Sequence, residues 1–262
     1  MKLLEARNLS VRYGAVIVLK NIDFSVDENQ WLMVVGPNGA GKTTLINALS
    51  QYIGYIGHIR YLGKDIKTYK PKELAQNLGV LSQNYSVNYP FTVEEVVRLG
   101  RYAYSPGIFS RKSGEDEEKV QNALELTGLT ELAARSVLTL SGGELQRTFL
   151  AQVLAQDPKI LMLDEPSNHL DIVYQKQILE LIRNWSRREK RAVISVVHDL
   201  SLAKAYGTHA LLLDRGSVVA QGEIGEVFSP EHLDKAYSAD VYAWMDDMLS
   251  QWKDIRHLTE LR

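Results

Sequence analysis

The apolar run WLMVV, Trp31 to Val35, leads straight into GPNGAGKTT, Gly36 to Thr44, which continues as KTTLINALSQYIG. Five apolar residues without alternation read as a strand buried on both faces, the glycines as a tight loop, and the continuation as a helix. Few folds accommodate that order, because the strand needs cover on both sides while the loop stays open at its end. The spacing G-x-x-x-x-G-K-[ST] also carries chemistry. Gly36, Gly39 and Gly41, with Pro37, Asn38 and Ala40 between them, let backbone N–H groups converge on a β-phosphate. Lys42 can reach β and γ oxygens, the Thr43 hydroxyl can ligate Mg²⁺, and Thr44 completes the run.

Four further apolar runs lack alternation: LGVLSQ (78 to 83), KILMLDEP (159 to 166), RAVISVVH (191 to 198) and HALLLDRG (209 to 216). With helical patterns between several of them, they predict a mostly parallel sheet. LEARNLSVRYG and NIDFSVDEN alternate more cleanly, and GHIRYLGKD reads as another short hairpin strand, so an antiparallel layer with one wet face precedes that sheet. Between Asn84 and Leu140 helix starts replace strand signals. Thr92 and Glu95 form a capping box, and SGEDEEKVQNAL places acids where they complement a helix dipole. The expected organisation is one domain over 1–262. Residues 1–83 and 141–230 form the α/β core, 84–140 an inserted helical subdomain and 231–262 a helical tail.

A chain of 262 residues with 45% hydrophobic and 24% charged content is ordinary globular material with enough length for a large core. The formal net charge of -2 gives no global basic footprint, so nucleic acid is not the expected partner. Zero cysteines exclude disulfides, thiolate metal sites and cysteine nucleophiles. No run of about 18 apolar residues and no charged-then-apolar leader is present, so the expectation is a chain that spans no membrane.

LSGGELQR, Leu140 to Arg147, raises a second anion site. Ser141 and Glu144 stand at capping-box spacing ahead of Leu145, Phe149 and Val153, which places Gly142 and Gly143 at a helix N-terminus. In ILMLDEP, four apolar residues deliver Asp164 to the carboxyl end of a strand, where it can hold Mg²⁺ directly or through water. Glu165 offers a second carboxylate to polarise the water attacking a γ-phosphate. His198 ends another buried strand, at the sheet edge where nucleotides bind parallel sheets.

Taken in order, the loop at Gly36 to Thr44, Gln83, LSGGE, LMLDEP, SNHLD (Ser167 to Asp171) and His198 resemble the nucleotide-binding subunits of ABC transporters over nearly the whole chain. The resemblance implies a P-loop NTPase core that binds ATP and Mg²⁺. It implies roles as well: Tyr13 stacks on adenine, Gln83 senses Mg²⁺ and the attacking water, Glu165 is the general base, and His198 contacts the γ-phosphate. Ser141, Gly142, Gly143 and Glu144 then face the ATP of a second subunit, and Asp171 crosses toward that subunit's phosphate loop. Two copies would meet head to tail as a homodimer around two ATP.

Within that family the stretch from Pro90 through Arg147, SNHLDI and VVHDLSLAKAYGTHALLLDRGSVVAQGE are most similar to ATPases of importers for iron-siderophore complexes, haem and cobalamin. This implies a polytopic membrane permease as partner, a periplasmic or extracellular substrate-binding protein reached indirectly, and a peripheral place on the cytoplasmic face of the inner membrane. A soluble ABC ATPase of iron-sulfur cluster assembly is the competing reading. Tyr85, Tyr89, Phe91, Tyr102, Tyr104 and Phe109 cluster past Gln83 and are expected either to line a groove for a permease helix or to pack the lobe itself. SRREKR (186 to 191) reads as a solvated helix end. Val241, Met245, Met248, Trp252 and Ile255 give the tail one apolar face, expected on its own core or at a dimer contact.

Overall fold

The computed structural model describes residues 1–82, 89–104, 114–166, 170–187 and 190–260, with side chains through 251. Gln83, Tyr85, Phe109 and Ser167 to His169 lie outside the described residues. The chain opens with β1 (Lys2–Tyr13), β2 (Val16–Asp27) and β3 (Trp31–Val35), then α1 (Lys42–Leu49), β4 (Ile56–Tyr61), β5 (Lys64–Asp65), α2 (Pro71–Ala75) and β6 (Leu78–Leu81). Next come α3 (Val93–Leu99), α4 (Gly114–Leu126) and α5 (Gly142–Ala155), followed by β7 (Ile160–Asp164), α6 (Ile172–Ser186), β8 (Ala192–Val196) and α7 (Leu200–Tyr206). The chain closes with β9 (His209–Asp214), β10 (Ser217–Glu223), α8 (Ile224–Val227), α9 (Pro230–Tyr237) and α10 (Val241–Glu260).

All five unalternating runs are strands of one sheet, ordered β10-β9-β3-β8-β7-β6. The pairs β9/β3, β3/β8, β8/β7 and β7/β6 are parallel, and β10 returns antiparallel to β9. The missing alternation has a direct cause. Met33, Val35, Leu161, Leu163 and Val193 face one apolar core, built with α5, α6, α7 and α9, while Leu32, Val34, Ile160, Met162 and Ile194 face a second core shared with α1 and the N-terminal layer. Successive side chains point to opposite faces, and both faces are dry. The second sheet, β2-β1-β4-β5, is antiparallel, as its alternating pattern predicts. β10 was not read from the sequence; SVVAQGE is mostly half-buried and carries no continuous apolar run.

Helices α3 and α4 pack against each other and against α5, so the helix opened by Ser141 joins the lobe to the core. The capping box at Thr92 is formed in both directions: the Glu95 N–H donates to Thr92 Oγ1 at 3.2 Å and the Thr92 N–H to Glu95 Oε2 at 2.8 Å. Arg101, almost fully buried, holds this region together by donating to Asp116 Oδ1 at 2.7 Å and to the Ala155 carbonyl at 3.0 Å. Tyr104 stacks under the Arg101 guanidinium and donates to the Gln76 and Gln156 carbonyls, each at 3.0 Å, so this aromatic packs the lobe.

Inside the sheet, Trp31 Nε1 donates to the fully buried Ser195 hydroxyl at 2.8 Å, tying β3 to β8. Trp31→Phe removes that donor and leaves Ser195 short of a partner in an apolar core. The expected loss is about 1–3 kcal/mol of unfolding free energy, read by urea denaturation. A loss below about 0.3 kcal/mol would show that this bond adds nothing to the fold.

Candidate nucleotide site

Strand register gathers the chemistry. β3, β8 and β7 are neighbours, with Val34 paired to Val196 and Val196 to Asp164. The segments leaving these strands, Gly36 onward, His198 and Glu165, therefore start from one edge of the sheet, its carboxyl end.

The loop after β3 admits only glycine at its sharpest points. At Gly36 φ is +144°, and a Cβ would lie 2.0 Å from the Leu213 carbonyl oxygen of β9. At Gly41 φ is +100°, and a Cβ would lie 2.6 Å from Leu19 Cδ2. Any larger residue would have to move backbone or core. Asn38 and Gly39 are exposed at the loop tip, Ala40 is buried, and its N–H donates to the Pro37 carbonyl at 3.2 Å. Lys42, 5% exposed, donates from Nζ to the Gly36 and Pro37 carbonyls at 2.8 and 2.9 Å. Burial lowers its pKa, while the Glu165 and Asp164 carboxylates pull the other way. Its ammonium is thus held inside the loop by carbonyls that a phosphate oxygen can replace. Thr44 follows on α1, half-buried beside the exposed Thr43.

Asp164 is buried at the end of β7, and Thr43 Oγ1 donates to its Oδ1 at 3.3 Å. Burial raises the Asp164 pKa; the Thr43 hydroxyl opposes that rise. Glu165 has φ +55°, a left-handed conformation unusual for a non-glycine residue, and its N–H donates to the Val196 carbonyl at 3.2 Å. That turn brings its carboxylate to His198, with Oε1 in contact with the imidazole Nε2. His198 is exposed at the carboxyl edge of the sheet.

Ser141 caps α5 as its spacing predicts. The Ser141 N–H and Oγ–H both donate to Glu144 Oε2, at 2.7 and 2.8 Å, and this pair of bonds lowers the Glu144 pKa. A Cβ on Gly142 would meet nothing within 4 Å, and one on Gly143 only Leu170 at 3.5 Å and the Tyr174 ring. Packing within the chain therefore does not require the glycine at 142. Asp171 caps α6, accepting from the Val173 and Tyr174 N–H groups at 2.9 and 3.0 Å. Tyr13 is half-exposed at the end of β1, in the hairpin whose Val18 carbonyl lies beside Gly41. Gln83 falls outside the described residues.

Two contributors carried no motif. Gln146, buried on α5, donates its amide to the Pro166 carbonyl and so ties the LSGGE helix to the turn after Glu165. Gly216, in the β9–β10 turn at φ +76°, donates its N–H to the Ala40 carbonyl at 3.2 Å and accepts from the Lys20 N–H at 2.8 Å, bracing the phosphate loop against β2. The Asp-Arg-Gly turn in the sequence was its only signal.

With a glycine loop, a buried lysine and a strand-end carboxylate pair at one sheet edge, the class is a P-loop nucleotide hydrolase. The ABC transporter family model matches residues 19–168, and the chain belongs to that family. It is 39% identical over 235 residues to the ferric enterobactin transport ATP-binding protein of Escherichia coli, covering 89% of this chain and 86% of that protein. It is 36% identical over 252 residues to the hemin import ATP-binding protein of Rhodopseudomonas palustris, covering 93% of each. An ABC transporter ATP-binding protein of Bacillus subtilis is 39% identical over 241 residues; there the chain spans about half, 54%, of the relative's length. Among solved structures, a metal-chelate type ABC transporter in an inward-facing conformation superposes with TM-score 0.79 at 26% identity, over 92% of this chain and 90% of that one. An ATP-binding cassette in its ADP conformation gives 0.80 at 25% identity, over 91% and 99%. The chain is an ABC-type ATPase.

The electrostatics of Asp164 give a test. A carboxyl whose folded pKa is raised contributes stability that is full below the unfolded pKa and lost as pH rises through the folded one, so at neutral pH its charge costs stability. Asp164→Asn is expected to leave the nucleotide-free chain as stable as the parent or more so at neutral pH, and to cut ATP hydrolysis at least about tenfold. Thermal unfolding and phosphate release read the two effects; a destabilised but active variant would contradict the assignment.

Proposed function

We propose that this chain is the ATP-hydrolysing subunit of a membrane importer and that two copies close head to tail around two ATP. Lys42, Asp164, Glu165 and His198 at one sheet edge carry the hydrolytic half of that reading. The open space over Gly142 supports the other half, because a helix N-terminus with glycine there lets an anion from outside the chain approach the backbone closely. Ser141, Gly142, Gly143 and Glu144 would then meet the γ-phosphate on the loop of the second copy. Asp171 would reach the partner's loop while keeping its cap on α6, and Tyr13 would stack on the adenine.

Thr43 and Asp164 suit Mg²⁺ by their chemistry, a hydroxyl and a carboxylate within hydrogen-bond reach of each other, with Gln83 as a third oxygen donor. Among the described residues no cluster of three or more His, Cys, Asp or Glu side chains is placed to hold a metal. When bound, Mg²⁺ would offset charge on the β- and γ-phosphate oxygens. Lys42 exchanges its loop carbonyls for the same oxygens, Glu165 orients and polarises the attacking water, and His198 holds the Glu165 carboxylate while facing the γ-phosphate.

Import of an iron-siderophore, haem or cobalamin-type substrate is supported by the names of the enterobactin and hemin relatives, which also make an iron-sulfur assembly ATPase the weaker reading. No helix among the described residues is long and apolar enough to cross a membrane. We place the chain peripherally on the cytoplasmic face, docked to a polytopic permease that a substrate-binding protein serves from the other side. Docking falls to the inserted lobe, residues 84–140, where Tyr89 and Tyr102 are exposed and Tyr89 packs beside Phe91 with ring centroids 6.2 Å apart.

Glu165→Gln keeps the shape of the site and removes the carboxylate that drives water attack. The expected outcome is a stable dimer in ATP with turnover reduced at least about a hundredfold, read by analytical ultracentrifugation and phosphate release. A variant that stays monomeric at saturating ATP would refute the head-to-tail reading.

A further inference from the structure

Two apolar surfaces near the nucleotide site are left uncovered by the chain's own packing. The first is an open groove of about 680 Å³ between the start of α7 and the first half of α10, with His198, Asp199 and Asp240 on its walls. Its apolar wall is Trp244, Met248 and Leu249, which stay 63%, 43% and 56% exposed, while Val241 and Met245 join it to the core. The second surface is the first turn of α6, where Ile172 is 80% exposed and Val173 60%, directly after Asp171. Adjoining exposed apolar side chains of this size mark contact surfaces.

The groove is preformed. α10 is pinned to α9 by the Val241 N–H donating to Asp234 Oδ1 at 3.2 Å, and to the segment before α9 by the Tyr242 hydroxyl donating to the Phe228 carbonyl at 2.5 Å. Asp199 caps α7, accepting from the Ser201 and Leu202 N–H groups at 2.7 and 3.1 Å, and Asp240 accepts from the Ala243 N–H at 2.8 Å. These bonds fix two carboxylates beside the apolar wall, and exposed Asp246 and Asp247 extend the negative charge along α10. The start of α6 has the opposite character. Lys176 is exposed one turn after Ile172, and the first turn holds no acid beyond the Asp171 cap. An apolar pair followed by a cation complements an apolar groove with an acidic rim.

We propose that the start of α6 from one copy of this chain seats in the α7–α10 groove of a second copy. This seating rests on the head-to-tail dimer proposed above, in which Asp171 crosses to the partner's phosphate loop and His198 lies at the nucleotide. Residues directly after Asp171 are then carried toward the surface that begins at His198, and one contact covers both apolar surfaces. Two-fold symmetry makes the contact twice in each dimer. The C-terminal helices, beyond residue 168 where the family match ends, thereby become part of the dimer interface.

The chain has no cysteine, so single introduced cysteines report the contact without background. Full-length Glu165→Gln protein carrying Ile172→Cys is mixed with Glu165→Gln protein carrying Met248→Cys and treated with a short bis-maleimide. A cross-linked dimer is expected only in the mixture and only with ATP. Separately, Met248→Glu in the Glu165→Gln background is expected to weaken the ATP-held dimer at least about tenfold by analytical ultracentrifugation, because a charge must then be buried against Ile172 and Val173. Its unfolding temperature should stay at the parent's, since the position is exposed; should it fall, Leu249→Glu repeats the measurement. If Glu165→Gln itself stays monomeric in ATP, the head-to-tail dimer fails and this contact with it. If Glu165→Gln dimerises but the mixture forms no cross-link, or the glutamate variant dimerises as tightly, the dimer stands, the groove belongs to another partner, and this proposal alone is overturned.

Discussion

The close approach of Gly36 to the Leu213 carbonyl is the contact on which the site depends. β3 and β9 run parallel side by side, and the chain leaving β3 turns at once over its neighbour, where no Cβ fits. Gly216, on the β9–β10 turn, then holds the loop from its other side through Ala40. The antiparallel return of β10 thus follows the same logic: it places a turn where the loop needs a wall.

A site that moves charge has to keep charges where the fold would not choose them. Lys42 and Asp164 are both buried, and burial pushes the pKa of each toward its neutral form. Each is steadied by one hydroxyl or by carbonyls rather than by a tight opposite charge, so a bound anion or cation meets groups that gain from its arrival. Glu165 carries a further cost in its left-handed backbone, offset by its N–H bond to Val196 and its contact with His198. Glu144 behaves in the opposite way: it is satisfied by Ser141 in the single chain and shapes a helix end whose glycine faces open space.

Much of this was legible in the residues because the governing rules are local. Five apolar runs without alternation read as strands with two dry faces, as they are, and the capping boxes at Thr92 and Ser141 form as their spacing requires. Lys42, Thr43, Asp164, Glu165 and His198 were legible from motif and strand end together. What escaped depends on tertiary contact. Gln146 looks like any helical glutamine until α5 packs beside Pro166, and Gly216 looks like any turn glycine until it meets Ala40. β10 escaped because a half-buried edge strand needs no continuous apolar run.

The central claim is that the loop of one copy and the Ser141 helix end of another complete a single ATP site. Two damaged chains test it directly, each in the Glu165→Gln background: one carries Lys42→Ala, the other Ser141→Arg. Alone, neither should retain ATP in a dimer. Mixed, they should form a dimer holding one ATP, because the intact Lys42 of the second faces the intact Ser141 of the first, and native mass spectrometry would count that nucleotide. A mixture that holds no ATP, or a Ser141→Arg chain that holds two on its own, would contradict the shared site.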